Sequence, residues 1–170
     1  MRQRRPPRDP AGKASPAAPP SPKVLAVRWL ARREYSREEL RERLRRRGVD
    51  DGDIARALDE LAAAGYLSDA RFAQAVVAQK SGRYGRRAIA HVLQAKGIGK
   101  DDVDAALLPL ADNDEFAEAL ALWTQRYGER PGDRREHARQ VRFLLSRGYA
   151  LSVALRVLRQ AGSRGDDDLP

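Results

Sequence analysis

Apolar residues recur along this chain at helical spacing, and one short arrangement of them appears three times, roughly fifty residues apart. Leu44-x3-Gly48-Val49-x4-Ile54-x3-Leu58 is the first copy, Leu93-x3-Gly97-Ile98-x4-Val103-x3-Leu107 the second, and Leu144-x3-Gly148-Tyr149-x4-Ala154-x3-Leu158 the third. Each puts an apolar residue four before a glycine and others one, six and ten after it. A glycine that stops one helix, an apolar anchor behind it and a second stripe of period 3.6 describe two helices joined by a tight turn. Three such copies imply a stacked helical array, an architecture that usually offers a surface rather than an enclosed active site.

Reading outward from the glycines predicts nine helices in three groups. The first group has a helix over 23–33 and a second opened by the capping-box pattern Ser36-Arg37-Glu38-Glu39, with Leu40 and Leu44 inward. Its third helix takes a cap from Asp50–Asp53 and turns Ile54, Leu58 and Leu61 inward before Gly65. In the second group, Ser68-Asp69 opens a helix carrying Phe72 and Val76, and Gly85 stands in the place of Ser36 ahead of Ile89 and Leu93. Asp101 or Asp102 caps the next helix, with Val103, Leu107 and Leu110 inward. The third group has stripes Phe116-Leu120-Trp123, Val141-Leu144-Leu145 behind a start at Asp133, and Leu151-Leu155-Leu158. Pro109 and Pro131 fall at helix boundaries, and no segment alternates with period two. The expected fold class is all-α: three tandem three-helix repeats (23–67, 68–112 and 113–162) forming an elongated, curved helical array.

Residues 1–22 hold seven of the ten prolines and five Lys or Arg against one Asp, too little apolar area to offset the entropy of ordering. They read as a disordered basic tail, and residues 163–170 as an acidic one. The run Asp166–Asp168 is read as a flexible acidic end rather than a metal site.

Composition narrows the function. The 42% hydrophobic content is mostly Ala and Leu with only 6% aromatic, which suits small helix-on-helix cores. With no cysteine there is no disulfide or thiolate metal site, and two histidines make a zinc site improbable. No apolar run approaches the ~20 residues that span a bilayer, and the N-terminus lacks the apolar stretch of a secretory signal, so a cytoplasmic protein is expected. No Ser-His-Asp set, phosphate loop or histidine pair at ligand spacing is present, so neither an enzyme nor a cofactor is expected. His91 is expected on a solvated face beside Arg87, and His137 on the apolar side of its helix, partly buried. The pairs Asp50-Asp51 and Asp101-Asp102 follow the repeat glycine in two copies, where a helix needs a cap rather than a metal.

The net charge of +9 points toward polyanions. Lys80–Lys100 contains six Lys or Arg and no acid, including Gly82-Arg83-Tyr84-Gly85-Arg86-Arg87 at a helix start. Residues 32–47 and 126–147 each carry +4. In every repeat the second helix or its approach is the basic one, so equivalent arginines could merge into one stripe. The candidates are Arg37, Arg41 and Arg45 in the first repeat, Lys80, Arg83, Arg86, Arg87 and Lys96 in the second, and Arg135, Arg139 and Arg142 in the third. A plainer alternative is three solvated faces trimmed by i,i+4 Glu–Arg pairs around Glu38, Glu39 and Glu42. Phe143, among arginines, could stack on a base but is expected to pack on the neighbouring repeat, and Tyr35 and Tyr84 read as partly buried junction residues.

Four segments together resemble the RecX family: Arg33-Glu34-Tyr35-Ser36-Arg37-Glu38-Glu39-Leu40, Gly65-Tyr66-Leu67-Ser68-Asp69-Ala70-Arg71-Phe72-Ala73, Lys96-Gly97-Ile98, and Val141-Arg142-Phe143-Leu144-Leu145-Ser146-Arg147-Gly148-Tyr149. The resemblance covers about 23–160; Ser68 stands where the family often has an acid, and the Pro-rich head has no counterpart. It implies tandem three-helix repeats, and a partner: the RecA filament on single-stranded DNA, bound in its helical groove, with DNA itself contacted within it. It implies restraint of RecA ATPase and strand exchange. A monomer is expected, with no membrane, small-molecule substrate, cofactor or metal. The alternative function is direct nucleic-acid binding through the basic helical face.

Overall fold

The computed structural model describes residues 20–111 and 114–163. These form nine α-helices: α1 Pro22–Leu30, α2 Arg37–Arg45, α3 Asp51–Ala63, α4 Asp69–Lys80, α5 Arg86–Ala95, α6 Lys100–Leu107, α7 Glu115–Arg126, α8 Arg134–Ser146 and α9 Leu151–Ser163. A 3-10 turn, Leu108–Leu110, carries Pro109. No strand occurs among the described residues. In each trio the third helix packs on both others: α3 on α1 and α2, α6 on α4 and α5, α9 on α7 and α8. Each trio encloses its own apolar core, centred on Leu40, Leu44 and Leu58, then Phe72, Ile89 and Leu93, then Trp123, Leu144 and Val157. The fold is all-α, built as three three-helix repeats.

The recurring glycine explains the recurring pattern. Gly48, Gly97 and Gly148 have φ of 77°, 75° and 89°, the left-handed region that side chains resist. Past each, the chain folds back so that the N–H after the glycine donates to the carbonyl five residues earlier: Val49 to Leu44 at 3.3 Å, Ile98 to Leu93 at 3.1 Å, Tyr149 to Leu144 at 3.2 Å. That closure sets the two apolar anchors against each other. Of the twelve apolar positions in the three copies, all are buried except Val49, which is half-buried.

The helix starts follow from capping. Ser36, Asp50, Ser68, Asp114 and Asp133 each accept an N–H from the first turn, at 2.7–3.2 Å. The Glu39 side chain does not close the capping box; it turns to Lys96 and Arg33 instead. Helix α1 stops at Leu30, earlier than the expected 33, and begins with Pro22 behind a Ser21 cap, so a serine-proline start signal lay hidden at the end of the Pro-rich stretch. Residues 1–19 of that stretch, like Asp166–Asp168, lie outside the described residues.

Several expectations need correction. Neither Asp101 nor Asp102 caps α6: Gly99 holds that place, and the two carboxylates sit in the first turn, where they complement the helix dipole. Leu145 is 40% exposed, and in α9 Leu151 and Leu155 face outward while Ala154, Val157 and Leu158 are buried. His137 is exposed rather than partly buried. Gln140, not anticipated on the inner face, is buried because its side-chain oxygen accepts the Trp123 indole N–H at 2.8 Å.

Tyr149 is 2% exposed, and its hydroxyl has no hydrogen-bond partner among the described residues. Burial first, then the carboxylates of Glu118 and Glu115, push its pKa from 10 up to about 12. Removing an unsatisfied buried hydroxyl costs nothing in hydrogen bonding, so Tyr149→Phe is expected to be neutral or stabilising by up to about 1 kcal/mol in urea titrations. Because the folded state raises this pKa, Tyr149 leaves stability undiminished below pH 10 and lowers it as pH climbs toward 12. The Phe variant should lack that part of the alkaline loss. A destabilisation larger than about 1 kcal/mol at neutral pH would show that the hydroxyl has a partner.

Candidate functional site

The repeats meet at two joints of related construction. At the first, the end of α5 abuts the start of α2: a Cβ added to Gly97 would lie 3.0 Å from the Glu38 Cβ, and Lys96 pairs with Glu39 at 2.8 Å. At the second, the end of α8 abuts the start of α5: the Gly85 N–H donates to the Arg147 carbonyl at 2.7 Å, and a Cβ on Gly148 would lie 2.5 Å from the Ala88 Cβ. The three basic second helices therefore follow one another end to end, α8 then α5 then α2, each C-terminus against the next N-terminus. Aligned this way, the negative end of one helix dipole meets the positive end of the next. The close approach also explains Gly85 in a place that is Ser36 in the first repeat. A Cβ there would come within 2.9 Å of the Gly148 carbonyl oxygen.

Residues that carry the family resemblance build these joints. Asp69, at the start of α4, accepts the Arg37 N–H of α2 at 2.8 Å. Arg71 bonds the Glu34 carboxylate at 2.9 Å and the Tyr66 carbonyl at 3.0 Å. Glu39 sits low in exposure between Arg33 and Lys96. Burial by itself would raise its pKa, but the Lys96 hydrogen bond and the Arg33 charge outweigh it and hold the carboxyl below its ordinary range. That contribution is present above the ordinary carboxyl pKa and fades in acid.

The eleven candidate cations divide into two sets. Arg37 pairs with Asp59, Arg41 with Glu38, Arg45 with Asp51 at 2.6 Å, Lys96 with Glu39, and Arg139 with Glu136 at 3.2 Å. Lys80, Arg83, Arg86, Arg87, Arg135 and Arg142 form no ion pair among the described residues. The first repeat thus largely neutralises its own basic helix, in part through Asp59 on α3, which lies far from Arg37 in sequence. The second leaves its basic segment unpaired apart from Lys96 and from Lys100, which bonds Asp104 at 2.6 Å. Arg86 and Arg87 border a small cavity of about 190 Å³ that Glu115 and Glu118 of the third repeat also line.

Sequence reasoning missed Arg126 and Arg147. Both reach the second joint, beside Arg83, Tyr84 and Phe143. Phe143 is half-buried and packs edge-on against Tyr127 at 5.4 Å, while facing the preceding repeat across a cleft. Tyr35 is more deeply buried than expected, at 7% exposure, under Arg33 and Arg43.

Comparison with known proteins finds three three-helix domains of one family in the chain. Family models for the first, second and third three-helix domains of RecX match residues 23–61, 68–107 and 113–158. The regulatory protein RecX of Leptothrix cholodnii is 41% identical over 146 residues, covering 86% of this chain and 92% of the relative. That of Ralstonia nicotianae is 36% identical over 154 residues, 91% and 96% of the two chains. A crystal structure of RecX from Lactobacillus salivarius superposes with a TM-score of 0.66 at 19% identity, over 83% of this chain and 94% of that one, a likeness of fold. With three matched units in order and relatives covered almost whole, the chain belongs to the RecX family of regulatory proteins.

Proposed function

We propose that this protein binds the RecA filament on single-stranded DNA and restrains its ATPase and strand exchange, acting in the cytoplasm as a monomer without cofactor or catalysis of its own. Family membership across all three repeats carries the reading. The repeats, taken as 23–67, 68–112 and 113–162, would each present a basic second helix to a partner that is itself periodic. The unpaired Arg83, Arg86 and Arg87 of the middle repeat make it the principal contact, with Lys80, Arg135 and Arg142 extending it. Arg37, Arg41, Arg45, Lys96 and Arg139 are paired internally and contribute less.

Direct nucleic-acid binding is the competing reading, and salt separates the two. Phosphate contact by several arginines gives an affinity that falls steeply with salt. Co-sedimentation with RecA filaments is expected to persist at salt concentrations that abolish binding to the same DNA without RecA. Equal affinity for bare and RecA-coated DNA across the salt range would favour direct binding instead.

A further inference from the structure

The second joint holds a cleft of about 420 Å³ lined by Arg83, Tyr84, Leu122, Arg126, Phe143 and Arg147, within the ~300–1,000 Å³ of small-ligand sites. Among the described residues no carboxylate lines it, and its three arginines form no ion pair. The Arg147 guanidinium stands 5.0 Å from the centre of the Tyr84 ring and 5.3 Å from that of Phe143, so one planar cation bridges two aromatic rings from different repeats. Lys80 approaches the Tyr84 ring as well, at 4.8 Å. The backbone fixes this arrangement: the 2.7 Å bond from the Gly85 N–H to the Arg147 carbonyl ties the residue after Tyr84 to Arg147. Neither ring is buried; both are half-exposed at the cleft.

Aromatic faces alternating with guanidinium planes, and uncompensated positive charge around them, match a nucleotide: a base stacks on the rings while a phosphate pairs with arginine. We infer that this cleft takes a base and its phosphate from single-stranded nucleic acid, with Tyr84, Phe143 and Arg147 as the stacking platform and Arg83 and Arg126 as the phosphate contacts. An acidic peptide would use the arginines and leave the rings without a purpose, so it is the weaker match. The inference rests on the regulatory reading for one thing, that the natural strand is the one inside the filament. Binding to a bare oligonucleotide tests the cleft by itself.

Fluorescence anisotropy of a labelled oligothymidylate against the full chain at low salt is the test. Tyr84→Leu with Phe143→Leu keeps apolar bulk and removes the rings; affinity is expected to fall about tenfold, the scale of one lost stacked base. Arg83→Gln with Arg126→Gln alters two exposed side chains and leaves the packing intact. It should lower the slope of log affinity against log salt by about 0.7, the one phosphate that the two arginines share. Ultraviolet crosslinking to a thymidine strand should mark Tyr84 or Phe143. Wild-type affinity and salt slope in the arginine pair, or no binding by the native chain at low salt, would overturn the assignment. So would oligoglutamate binding that the leucine pair abolishes while oligothymidylate binding survives. If the leucine pair loses the oligonucleotide but the native chain never affects RecA, the cleft stands and the regulatory reading falls.

Discussion

Replacing Gly148 with alanine is expected to cost about 3 kcal/mol or more, while the same change at Gly48 costs about 1. The two glycines hold equivalent places and similar φ, 89° and 77°. Both variants must put a side chain in the left-handed region, a penalty of ~1–2 kcal/mol, partly offset by a stiffer unfolded chain. They differ in what the new Cβ meets. At Gly48, at the free end of the run of second helices, nothing lies within 4 Å. At Gly148 it would lie 2.5 Å from the Ala88 Cβ and 2.7 Å from the Ala88 backbone nitrogen, and backbone cannot swing aside. Either α8 withdraws from α5, breaking the Gly85–Arg147 hydrogen bond, or the turn is rebuilt. Gly97→Ala should fall between, because its neighbour is the Glu38 side chain at 3.0 Å. Urea denaturation orders the series. Hydrogen exchange should show the loss in Gly148→Ala concentrated in α7–α9, since each repeat has a separate core. Equal costs at Gly48 and Gly148 would mean the joint is not formed in solution.

Reversing Arg83, Arg86 and Arg87 to glutamate should weaken binding to RecA filaments about a hundredfold or more, with helix content unchanged. Each is solvent-exposed and without an ion pair among the described residues, so little native packing is lost. Each reversal removes one charge-assisted contact and adds repulsion. Arg87 and Arg86 share a cavity with Glu115 and Glu118, so circular dichroism must accompany the measurement. A charge-matched control, Arg28→Glu, Arg56→Glu and Arg159→Glu, alters exposed positions on α1, α3 and α9, none of them a second helix. The control should change affinity far less. Similar losses in both triples would reduce the effect to net charge.

Much of this was legible in the chain because the glycine and its anchors are coupled by local geometry. The spacing of Leu144, Gly148, Ala154 and Leu158 marks buried positions even though Ala154 is a weak hydrophobic signal. Where residue identity was used in place of that register, it misled. Leu151 and Leu155 suggested a stripe, yet the buried face is Ala154, Val157 and Leu158, since a helix can carry leucine outward without penalty. The α6 start was misplaced because a glycine in extended conformation caps as Gly99 does with no side-chain signal. Ion pairs followed the same rule. Arg46–Glu42, four residues apart, was readable, whereas Arg37–Asp59 joins two helices and needed the packing. The cleft was invisible for the strongest reason: Tyr84 and Arg147 are neighbours only because Gly148 lets two helix ends touch.

The most direct test of the central claim is the DNA-dependent ATPase of RecA, measured with this protein added well below stoichiometric amounts. Progressive inhibition by the native chain, and its loss in the Arg83, Arg86 and Arg87 reversal, is the predicted result. An unchanged rate at every ratio, with filaments verified on the DNA, would contradict it.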